Sequence, residues 1–95
     1  MTAYYKNQEQ RIDYLNAVIK NNVHRAILSI TNGRSDLATH YYILALQADQ
    51  VLFYCFTGCS ACLEKQFKEE ATAHGLDAEQ TWNICKNVYN LYEQA

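Results

Sequence analysis

Residues 24–57 read HRAILSITNGRSDLATHYYILALQADQVLFYCFT. The reading of this stretch decides the fold. Asn32-Gly33 lies between two runs rich in β-branched and aromatic residues. Both residues accept positive φ, so the pair predicts a hairpin turn. Strands are predicted over 24–31 and 37–47. After the polar Ala48-Asp49-Gln50, a third strand is predicted over 51–57. The three form an antiparallel meander that is apolar on both faces of its second and third strands. Tyr42, Leu44 and Leu46 point one way, and Tyr41, Ile43 and Ala45 the other. Leu52, Tyr54 and Phe56 oppose Val51, Phe53 and Cys55. An antiparallel sheet with one wet face alternates more cleanly. Both faces must therefore be covered, or one meets a partner.

Helices are expected on either side. Ile12, Leu15, Ile19 and Val23 recur at helical spacing and predict a helix over 3–22, with Tyr5 extending the stripe. SACLEKQFKEEATAH (60–74) places Leu63, Phe67, Ala71 and His74 on one stripe. His74-Gly75-Leu76 predicts a Schellman ending, with glycine in the left-handed position. Asp77 is then placed to cap a last helix over 78–94, whose apolar face carries Trp82, Cys85, Val88, Leu91 and Tyr92. The expected order is α-β-β-β-α-α in a single domain over residues 1–95, of the α+β class.

Composition narrows the function. The chain has 95 residues, 49% of them hydrophobic, too apolar for a disordered tail. Net charge is -2, and its eight Lys and Arg are scattered. Phosphate contacts need clustered cations, so nucleic acid is not an expected partner. No run approaches the roughly 18 apolar residues of a membrane span. The first residues, MTAYYKNQEQRIDYL, lack the apolar core of a signal peptide. A cytoplasmic location is expected, where thiols stay reduced.

The four cysteines raise a second possibility. VLFYCFTGCSAC (51–62) runs from an apolar strand through Gly58 to Cys59-x-x-Cys62 at a helix start. Over about a dozen residues this is similar to the active-site element of the thioredoxin superfamily. The resemblance implies a thiolate on Cys59, stabilised by the helix N-terminus, with Cys62 as resolving thiol. The chain has no proline and no preceding βαβ unit, both of which that family uses. Zinc is the other chemical alternative. Cys55, Cys59 and Cys62 follow C-x3-C-x2-C spacing, and the meander would set His40 opposite Cys59 as a further ligand. Against both stands a plain reading of the cysteines as small core hydrophobes, with Cys55 and Cys85 on apolar stripes. Glu69 and Glu70, with Lys65 and Lys68 nearby, read as a solvated helix face. His74 reads as a cation at a helix C-terminus.

Eight tyrosines complete the pattern. Tyrosine joins a large apolar body to a polar tip and is enriched at interfaces. The expected function is a small non-catalytic protein-binding module, without a cofactor, that also forms a homodimer. An adaptor, a regulator or an inhibitor encoded by a phage or mobile element fits this description. The binding surface is expected on an apolar, tyrosine-rich sheet face or helix surface carrying Tyr41, Ile43, Phe53, Tyr5 and Tyr14.

Overall fold

A computed structural model of the chain describes residues 2–56 and 62–94, with side chains described for 8–56 and 62–87. It overturns the α+β expectation. Four helices make up the chain: α1 (Thr2–Thr31), α2 (Ser35–Cys55), α3 (Leu63–Ala73) and α4 (Ala78–Gln94). No strand occurs among the described residues.

The predicted first strand is the last two turns of α1. Ile19, Val23, Ala26, Ile27 and Ile30 continue the helical stripe begun by Ile12 and Leu15. The predicted second and third strands are one helix, α2, whose buried Ala38, Tyr42, Ala45, Ala48 and Leu52 recur at helical spacing. The Asn32-Gly33 turn is real but joins helices. Gly33 adopts φ 76°. Its N–H donates to the Ile30 carbonyl at 2.9 Å, and that of Arg34 to the Ser29 carbonyl at 2.8 Å. These two bonds define a Schellman ending, which consumes carbonyls that the last turn of a helix leaves unpaired.

The C-terminal half follows the sequence closely. Gly75 adopts φ 75°. The Leu76 N–H reaches the Ala71 carbonyl at 2.9 Å, and that of Gly75 reaches Thr72 at 3.0 Å. Asp77 Oδ1 accepts the Gln80 N–H at 2.9 Å, so the predicted cap forms. α4 occupies the expected range, and α3 begins at Leu63 rather than at residue 60.

α1 and α2 form an antiparallel hairpin, on which α3 and α4 pack as a second layer. Ala38 and Ala45 of α2 are fully buried in the core with Ile19, Ala26 and Ile27 of α1. α3 inserts Leu63, Phe67 and Ala71 against the hairpin, and α4 contributes Cys85 and Trp82. Tyr42, Phe67 and Trp82 form an edge-to-face cluster with ring centroids 5.6–6.1 Å apart. Lys68 joins α3 to α4 by donating to Glu64 at 2.9 Å and Glu79 at 2.7 Å. The molecule measures 48 × 32 × 19 Å, a slab about two helices thick.

Candidate protein-docking surface

α2 carries two apolar stripes. At 100° per residue, Ala38, Tyr42, Ala45 and Leu52 share the buried arc. Leu37, Leu44 and Val51 lie on another arc, rotated by roughly 110° and spaced by seven residues. These three are 37%, 37% and 45% exposed. At the end of the helix Tyr54 and Phe53 are 78% and 59% exposed, their rings 5.2 Å apart in an edge contact, but Phe53 lies about 180° round the helix from Leu44 and so off this arc. α1 supplies the facing half. Leu28 and Tyr14 are exposed, and the Arg25 guanidinium lies 5.9 Å from the centre of the Tyr41 ring. Tyr14, with Gln10, Arg11 and Leu15, borders an open groove closed on its α2 side by Val51, Cys55 and Phe56. Leu37, Leu44 and Val51 thus form an exposed apolar row along α2, which Tyr14 of α1 meets across the groove at Val51.

The residues expected to bind a partner divide. Tyr14 and Phe53 are exposed on the hairpin, and Tyr41 is half-buried beneath Arg25. Ile43 is half-buried against the core and so belongs to packing. The sheet face that was to unite Tyr41, Ile43 and Phe53 does not exist. The Tyr5 side chain lies outside the described residues. Leu37, Leu44 and Val51 were missed as a set. Their seven-residue spacing is the signal that could have found them.

The strand register that was to set His40 opposite Cys59 does not exist. His40 and Cys55 lie on one helix, 15 positions apart, which separates them by about 22 Å along its axis. No strand register brings His40 to the thiols. His40 is exposed and packs its ring against Tyr41, centroids 5.6 Å apart. Cys55 is exposed rather than in the core. Cys62 precedes α3 with φ 49°, and Cys59 lies outside the described residues. The core expectation holds for Cys85, which is fully buried.

Across α3, Glu70 Oε1 bonds His24 Nδ1 at 2.6 Å and His74 Nε2 at 3.2 Å. The hydrogen bond from His24 is the main force holding the Glu70 carboxyl below its ordinary pKa, and His74 adds to it against partial burial.

No family model, curated protein or solved structure matches the chain. Among the described residues, no helix is long and apolar enough to cross a membrane.

Proposed function

We propose that this chain is a small helical protein-binding module whose docking surface is the outer face of the α1–α2 hairpin. The observation that carries this reading is the exposed heptad of Leu37, Leu44 and Val51. Exposed leucines singly are unremarkable. Three at seven-residue spacing set one apolar row along the helix, half of the two-row seam of a coiled coil. The occupant is a second copy of the chain, which supplies the same row at the same spacing and closes a twofold contact. From Tyr14 to Leu28 the face is about 21 Å long, and two helices make it about 20 Å wide. That is smaller than a standard interface, so the dimer is expected to be weak, with a dissociation constant in the micromolar range.

Sedimentation equilibrium over a hundredfold concentration range tests the reading. A monomer–dimer equilibrium is expected, abolished by Leu44→Glu while the circular dichroism spectrum is unchanged. A strict monomer at the highest concentration overturns the proposed occupant. A dimer indifferent to Leu44→Glu overturns the proposed surface.

A further inference from the structure

α1 and α3 bring together three side chains, His24, Glu70 and His74, that each offer a donor atom within 4.8 Å of the others. They come from helices 46 residues apart in sequence. Glu70 and His74 are one turn apart on α3, and His24 faces them from α1. We propose that these three residues form a binding site for a divalent transition metal of the zinc class. Two imidazoles and a carboxylate are borderline and hard donors, a set that suits zinc, cobalt and nickel rather than calcium or magnesium.

The geometry is close to what zinc needs. Bonds of about 2.0–2.1 Å in a tetrahedron set ligand atoms about 3.3 Å apart. Glu70 and His74 already stand at 3.2 Å, and His24 Nδ1 must withdraw from 2.6 Å by less than an ångström. The side chains are 51%, 31% and 29% exposed in the order His24, Glu70, His74, so an ion can enter without unfolding. His74 terminates α3, where the helix dipole presents its negative end to a cation. The ion would replace the two protons now shared with Glu70 and join α1 to α3 by bonds instead of hydrogen bonds. Three protein ligands leave a fourth position for water, the pattern of an exchangeable rather than a closed structural site. The site shares no residue with the docking face, so either proposal can fail alone.

The test is titration of the reduced, metal-stripped chain with cobalt(II), followed by zinc(II) competition against a chromophoric chelator. One ion per chain is expected. Its visible ligand-field bands should carry no thiolate-to-cobalt charge-transfer band. His24→Ala and His74→Ala should each weaken binding at least tenfold. Glu70→Gln, which keeps the shape and most hydrogen bonds of the wild type, should do the same and covers the case in which a histidine variant fails to fold. Zinc should raise the thermal midpoint of the wild type and leave that of Glu70→Gln unmoved. No binding at millimolar metal, a thiolate band, or full affinity in any one of the three variants that folds overturns the proposal and leaves the triad as an ion-pair clip between α1 and α3.

Discussion

At the scale of the residue, the thiols divide by environment. Cys55 and Cys62 are exposed, and Cys85 is sealed among Phe67, Trp82 and their neighbours in the core. Burial pushes the Cys85 thiol from its ordinary 9.0 up to about 12. The thiolate is the reactive form. Iodoacetamide at neutral pH is therefore expected to label Cys55 and Cys62 in the native chain and to reach Cys85 only in denaturant, as peptide mass spectrometry would report. The same shift makes stability depend on pH. Below pH 9 the folded and unfolded chains both keep the proton. Above it the unfolded thiol ionises and the folded one does not, so stability falls by about 1.4 kcal/mol per pH unit towards pH 12. Urea unfolding of the wild type and of Cys85→Ala across pH 8–11 isolates this slope. Tyrosine and lysine titration is common to both proteins, and the difference between them should be flat below pH 9 and fall above it. A difference that stays flat throughout would place Cys85 in water.

At the scale of the element, the α1–α2 turn depends on a left-handed residue at position 33. A Cβ built on Gly33 meets nothing within 4 Å, so Gly33→Ala tests conformation alone. The left-handed penalty of about 1–2 kcal/mol, less the entropy that alanine removes from the unfolded chain, predicts a loss of about 1 kcal/mol in urea unfolding. Gly33→Asn should lose less, because asparagine tolerates that region. A neutral Gly33→Ala would mean the turn relaxes freely. The same dipeptide explains why half the fold was legible and half was not. Asn-Gly serves a hairpin turn and a helix ending equally well, since both need positive φ. α4 and the end of α3 were readable because their caps and their 3.6-residue period agree. In α2 the exposed stripe of Leu37, Leu44 and Val51 and the buried stripe of Tyr42 and Leu52 together span about half of the helical wheel, and Phe53, Leu46, Ile43 and Tyr54 fall across the rest. The period disappears, and an apolar run of Tyr, Ile, Leu, Val and Phe then imitates a buried strand. Ala38, Ala45 and Ala48, all buried in the core, add almost no hydropathy signal. For the docking face, Tyr14 was visible as a lone aromatic, whereas Phe53 lies on the opposite side of α2 from Leu44. For the metal triad, the sequence shows Glu70 and His74 one turn apart, but nothing local announces that His24 faces them.

At the scale of the whole molecule, one side chain ties the layers together. Phe67 on α3 is fully buried and makes edge contacts with Tyr42 of α2 and Trp82 of α4. A domain of this size is stable by about 5–14 kcal/mol in total. Removing a buried phenylalanine ring costs about 3–5 kcal/mol, because the cavity collapses only partly. Phe67→Ala is therefore expected to lower the urea midpoint severely and to leave a measurable unfolded fraction in water. Phe67→Leu, which keeps most of the volume, should lose about half as much. Leu44→Glu, on the outer face, should leave unfolding of the dilute monomer within about 0.5 kcal/mol of wild type, as surface substitutions do. The pair separates what holds the slab together from what it offers to a partner. If Leu44→Glu unfolds the monomer as Phe67→Ala does, the heptad belongs to the core and not to an interface. If Phe67→Ala is mild, α3 and α4 are a loosely attached layer, and the α1–α2 hairpin is the part of the chain that folds.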